Sequence, residues 1–359
     1  MDPGAGFVQQ RPLNKTNLEK LGTEKLAGLV MDLVQGNAAL QRRARLELSA
    51  AQGPKDVAAD IRKRFASLRR SSSFVDWRKQ KAFVRDLSGL LRMIEEAVVP
   101  QDANEAFELL WSFLQLAPSI HKRTDDSNGA IGKVMDDAVE IIANVAPRLN
   151  VTPEVLADRI LDAVAGAGYG EFDGIIPATA DALGDDGLAY LREITEAWAE
   201  VAPSDAEMEA CQFYGRASSA EDRVRRDKHL TKSIILADIA DVQGDVDAYM
   251  ARYSPEQLTF GTIAAGVARR LLDAGGVDEA FGIIADARAA AEARSSELLR
   301  HDLDEVYEEC LSKQGRTDEL KFHLWERFGQ TLSAPSLRRR GGSRNLNSRD
   351  KWIFRATAA

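Results

Sequence analysis

The chain has 359 residues, a formal charge of −9, 45% hydrophobic and 29% charged residues, which is ordinary for a globular protein. It contains no run of about 18 apolar residues, which excludes a membrane span, and Met1–Gln10 lacks the charged and apolar segments of a signal peptide. Two cysteines, Cys211 and Cys310, are too few for a disulfide framework; a cytoplasmic location follows, with both thiols expected as small buried hydrophobes rather than nucleophiles.

The charge is unevenly spread. Residues 41–92 hold 14 Lys or Arg against 5 Asp or Glu, and residues 338–359 hold 7 basic residues against one acid, so the remainder is strongly acidic. Such polarity speaks of partners and solubility rather than fold.

In chain order, residues 1–14 read as disordered. The spacing predicts a first helix over Leu18–Val34, with Leu21, Leu26, Leu29, Leu33 and Val34 on one side, ended by Gly36-Asn37. Further helices follow over Ala38–Ala51, Lys55–Arg70 (stripe Val57, Ile61, Phe65, Leu68) and Asp76–Val99. Asn104–Leu116 is so apolar that it is expected to be buried on most sides. Thr124–Gly129 reads as a polar turn and cap before a helix over Ile131–Leu149, and Pro153 opens another to Ala165. Gly166–Ile176 is the loosest stretch within the fold. Helices over Leu188–Val201, Asp205–Gly215 and Ala220–Asp241 precede the stretch Ser254–Ala290. There Ser254 and Pro255 read as cap and first turn of a helix running to Asp273, and Ala274-Gly275-Gly276 as its stop. The small residues Gly261, Ala264, Ala265, Gly266 and Ala268 imply that at least one glycine marks a close helix contact. No segment alternates apolar and polar residues, so strands are not expected.

The turn recurs. Gly244-Asp245-Val246-Asp247 lies 31 residues before Gly275-Gly276-Val277-Asp278, and Gly315-Arg316-Thr317-Asp318 lies 40 residues after it, each behind a helical run. Self-similarity at this period is the mark of stacked helical hairpins. The expected fold is an all-α solenoid of antiparallel helical hairpins, TPR- or HEAT-like, of about 13 to 16 helices. The domain plan is a disordered 1–14, an N-terminal helical array with a basic face over 15–150, a C-terminal repeat array over 151–333, and a disordered basic tail over 334–359 that reads either as native or as an altered gene end.

Several stretches resemble an uncharacterised bacterial family of helical-repeat domains of unknown function, related segments of which follow zinc-binding SWIM modules. The likeness is carried by Phe74-Val75-Asp76-Trp77, Asp125–Gly132, Leu183–Leu188, Gln243–Ala248 and Ala274–Ala280, in order between about Leu18 and Ser333. The resemblance implies an all-helical solenoid and no known activity, and the SWIM cysteine–histidine pattern is absent from this chain.

Chemical motifs fail one by one. With Gly129 at position six of a calcium loop, Thr124 and Met135 fall where carboxylates are required. Gly132-Lys133 lacks the first glycine and the hydroxyl of a phosphate loop. Gly166-x-Gly168-x-Gly170 follows a helix rather than a strand. His121, His229, His301 and His323 stand alone in sequence, and Asp302, Asp304 and Glu305 beside His301 spread over different helix faces. No catalytic, metal-binding or cofactor-binding residue and no cofactor is therefore assigned.

One functional feature remains. Arg62, Lys63, Arg64, Arg69 and Arg70 on one helix, and Arg78, Lys79, Lys81 and Arg85 on the next, form a candidate face for phosphate or nucleic acid. The aromatics among them, Phe65, Phe74, Trp77 and Phe83, read as core rather than stacking platforms, and the acidic total argues against a dedicated nucleic-acid binder. Three functions follow as expectations: a non-enzymatic scaffold that binds a protein or peptide; alternatively nucleic-acid association through residues 42–92; alternatively an unrecognised hydrolase or metal enzyme, with Gly166–Ile176 as its loop. The partner is an unknown protein or peptide, nucleic acid being possible, with no membrane role; the oligomeric state is open.

Overall fold

The structure, a computed structural model, describes residues 12–210, 219–293 and 300–331. Every regular element among them is helical: α1 Lys15–Glu19, α2 Thr23–Val34, α3 Ala38–Gln52, α4 Pro54–Arg70, α5 Trp77–Met93, α6 Ala103–Leu114, α7 Ala117–His121, α8 Ala130–Val145, α9 Pro153–Gly166, α10 Ile175–Ala178, α11 Ala180–Glu200, α12 Asp205–Ala210, α13 Ala220–Gln243, α14 Val246–Ala251, α15 Gly261–Asp273, α16 Val277–Ala293, α17 Arg300–Lys313 and α18 Thr317–Thr331. The closest approach to a strand is one isolated bridge, Val75 with Thr124. The chain divides into two compact units, Met1–Thr231 and Lys232–Ala359. The expected division at 150/151 lies within the first of them.

The first unit is centred on α6, whose Ala106, Phe107, Leu109, Leu110, Trp111, Phe113 and Leu114 are all buried. The helix packs against α4, α8 and the π-helical turn Ile94–Val98 that ends α5. The predicted stripe of α4 is buried as well: Val57, Ile61, Phe65 and Leu68. Further along, α9 lies close against α11. A Cβ on Gly187 would stand 2.9 Å from the Pro153 side chain, so glycine is what permits that approach. The turn before α8 is built as read: Ser127 N–H donates to Asp125, while Asp126 accepts from the N–H groups of Ile131 and Gly132 at 2.8 and 2.9 Å.

The second unit contains the three recurring turns, and they share one hydrogen-bond pattern. Asp245, Gly276 and Arg316 donate their N–H groups to the carbonyls of Ala240, Leu271 and Leu311 at 2.9, 2.7 and 2.9 Å. Gly244, Gly275 and Gly315 turn left-handed at φ 65°, 85° and 71°. That is a helix stop in which the sixth residue satisfies the first carbonyl, a geometry that glycine adopts without steric penalty. A core follows from Ala264, Val267, Ala268 and Leu271 of α15, Ala280, Ile284 and Ala287 of α16, and Leu303, Val306 and Cys310 of α17.

Two predicted helices are broken. The helix expected over Leu18–Val34 is divided at Gly22, where φ is 79° and no side chain caps α2. The helix expected from Ser254 to Asp273 is divided at Phe260, whose backbone is extended. Ser254 caps only a 3₁₀ turn, Gln257–Thr259, because its hydroxyl and the Gln257 side chain satisfy each other's N–H groups. Of the small residues in α15, Gly261 is buried, and Gly266 carries the Arg270 guanidinium on its carbonyl at 2.9 Å.

Candidate functional site

The structure sorts the nine basic residues into two groups. Arg62 is held bidentately by Glu105, Lys63 by Asp60 at 2.8 Å, and Arg64 by Asp86, which also takes Arg42 at 3.3 Å. Lys79 lies 3.8 Å from Asp76, the cap of its own helix. Arg69, Arg70, Arg78, Lys81 and Arg85 are exposed and form no ion pair among the described residues. At 100° per residue, Trp77, Arg78, Lys81 and Arg85 share one strip of α5, opposite the buried Gln80, Leu87, Leu90 and Leu91.

The aromatics correct the sequence reading. Phe65 is in the core, as expected, and Phe83 is half-buried beneath Arg123. Phe74 and Trp77, by contrast, are 62% and 74% exposed. Arg78 leans over the Trp77 ring, 5.2 Å from its centroid.

Sequence reasoning missed Arg123. It is only 7% exposed, yet it forms no ion pair among the described residues. One guanidinium nitrogen, Nη1, donates to the Ser73 carbonyl at 3.3 Å, Nε has no acceptor, and the face lies 5.0 Å from the Phe83 ring centroid. Burial, reinforced by Arg64 nearby, lowers its pKa. Val75 N–H donates to the Arg123 carbonyl at 2.8 Å, which fixes the loop Ser71–Asp76 above it. A lone arginine after a short helix carries no sequence signal of this kind.

A second polar cluster lies in the other unit. Asp304 and Glu308 of α17 face His323 and Arg327 of α18, and Asp304, His323 and Arg327 line a cavity of about 90 Å³ with Arg288 of α16. Arg288 pairs with Asp304, and Arg327 with Glu308 at 2.6 Å. His323 is 8% exposed; its Nε2 stands 3.7 and 3.8 Å from the two carboxylates and has no hydrogen-bond partner. Burial and then Arg288 lower its pKa, so the imidazole is neutral at pH 7. Two cations thus balance two acids around a neutral ring, and the pairs link α16, α17 and α18.

The remaining candidates are accounted for by packing. In the loop after α9, Tyr169 stacks on His121 at 4.5 Å, Phe172 lies 5.0 Å from Trp111, and the buried Glu171 accepts the Tyr169 N–H at 2.9 Å. Burial pushes the Cys310 thiol up to about 11, which makes it a poor nucleophile. Cys211, the side chain of His301 and the tail 334–359 lie outside the described residues. No group of three or more metal-ligating side chains is found among the described residues, and none of their helices is long and apolar enough to cross a membrane.

These features define an all-α protein with helical hairpins in its second unit and a basic, aromatic strip in its first. Residues 8–340 match the model of a family of unknown function, DUF6880, and the chain belongs to that family. The match begins before and ends beyond the Leu18–Ser333 span of the resemblance. No curated protein and no solved structure matches the chain.

Proposed function

We propose that the chain is a non-enzymatic helical-repeat protein, its hairpins stacked as a solenoid, that binds an amphipathic helix of another protein. The observation that carries this reading is α2. Leu26, Leu29, Val30, Leu33 and Val34 make a clean apolar stripe on it, yet none is buried, and Leu33 is 62% exposed. The occupant is a helix because the stripe has the length and spacing of a helical contact: about two and a half turns, with anchors at i, i+3, i+4, i+7 and i+8. The stacking is supported by the three glycine turns of one hydrogen-bond pattern, since a hairpin cannot bury its apolar face alone.

The test places a photo-crosslinking phenylalanine analogue in place of Leu33, or of the exposed Glu279 as control, in the cell that makes the protein. The reading expects an adduct from position 33 alone, mapping by mass spectrometry to an amphipathic helix of a second protein and lost on Leu29→Glu. Equal labelling from both positions, no adduct, or an adduct only with another copy of this chain overturns it.

A further inference from the structure

The loop Ser71–Asp76 and the first two turns of α5 bring together three features that neither core packing nor the α2 stripe uses. The first is a buried cation without a counter-ion. A guanidinium is transferred from water into a protein interior only at high cost unless an acid compensates it. Arg123 has a carbonyl and a ring face instead, and Arg64, another cation, adds to the cost of its charge. Its charge therefore raises the electrostatic potential at the loop that lies over it. The second feature is a strip of exposed cations: Arg78, Lys81 and Arg85 follow one another on a single side of α5, with no acid among the described residues taking any of them. Of the acids of this region, Asp60, Asp86 and Glu105 are taken by other cations, and Asp76, Asp125 and Asp126 accept backbone N–H groups. The third is a pair of exposed rings, Phe74 in the loop and Trp77 at the head of the strip.

We propose that this strip is a binding site for single-stranded nucleic acid, with bases stacked on Trp77 and Phe74 and backbone phosphates on Arg78, Lys81 and Arg85. Stacking selects unpaired bases, because in a duplex the faces of the bases are already covered by their neighbours, and it is indifferent to sequence because every base has a π-face. From Trp77 to Arg85 the helix rises about 12 Å, room for about three nucleotides at roughly 3.4 Å each. Arg78 covers one side of the Trp77 ring, so the other accepts the base. This inference is independent of the α2 reading: a helix on α2 and a strand on α5 use different residues.

The experiment is fluorescence anisotropy of the full chain with labelled oligo-dT and oligo-rU at about 50 and about 200 mM salt. Both strands are expected to bind more tightly at the lower salt and to outbind a duplex of equal length. Trp77→Ala is expected to weaken binding about tenfold or more, while Trp77→Phe keeps most of it. Removing two phosphate contacts with Lys81→Ala and Arg85→Ala lowers the slope of log K against log salt by about 1.4. Arg269→Glu, an exposed charge of the second unit, changes the affinity by less than about twofold. Circular dichroism shows each variant folded; all the sites are exposed, so the fold does not depend on them. No binding at the lower salt overturns the proposal. So do equal affinities of Trp77→Ala and Trp77→Phe, duplex bound as tightly as single strand, or full displacement by inorganic polyphosphate at equal phosphate concentration, each of which reduces the strip to a polyanion surface without base stacking.

Discussion

Helices α6 and α2 each have twelve residues and each presents a strongly apolar face, yet they end in opposite environments. Seven residues of α6 are buried, by α4, by α8 and by the end of α5, whereas none of α2 is, its neighbours among the helices being α1 and α3. The difference teaches that apolar patterning specifies which face seeks cover but not whether this chain supplies it. Among the described residues the stripe of α2 has no such cover, which is why the proposed helix partner is placed there.

Substitutions can break that contrast or sharpen it. The largest effect is expected in α6. Phe113 is fully buried, against Phe65 at 5.9 Å, so Phe113→Ala should lower unfolding free energy in urea by about 3–5 kcal/mol. A loss below about 1 kcal/mol would mean that α6 is not the centre of its unit.

A smaller effect falls on the polar cluster, where the group is buried but ionisable. His323 titrates below its ordinary value when folded, so the unfolded chain takes up its proton first as pH falls. The stability that follows from its neutrality is present above about pH 6.5 and is lost below it, toward the folded pKa. His323→Gln should therefore flatten the fall in Tm between about pH 7 and about pH 5 relative to the parent. An equal fall in both proteins would exclude the imidazole as its source.

The smallest effect belongs to α2. Leu33→Glu, at 62% exposure, should change the Tm of the isolated chain little, within about 0.5 kcal/mol, although the same substitution at a covered leucine would unfold it. A drop as large as that of Phe113→Ala would show that α2 is covered in solution after all.

Much of the architecture was legible locally. The glycine turns at Gly244, Gly275 and Gly315 were readable because the left-handed residue and the acids after it act within one turn of helix. The stripes of α4 and α6 were readable for the same reason. The candidate site was legible in half. Arg78, Lys81 and Arg85 stood out as a run of charge, but the run did not distinguish them from Arg62 and Arg64, whose acids come from 22 to 43 residues away. Nothing local separates the exposed Phe74 and Trp77 from the buried Phe65; their exposure depends on where the loop is tied, and it is tied to Arg123. The cluster around His323 shows in sequence only as two i, i+4 pairs, Asp304 with Glu308 and His323 with Arg327, with nothing to say that the pairs meet.

By itself, then, the sequence determined the helical class, the helix stops of the second unit and the apolar stripes, all of which arise from interactions within one or two turns of the chain. The tertiary structure decided which stripe is covered, which cations find an acid, and that Arg123 lies buried beneath the loop before α5. Those outcomes rest on contacts between residues far apart in sequence, and the local pattern around any one partner is the same whether or not the other arrives.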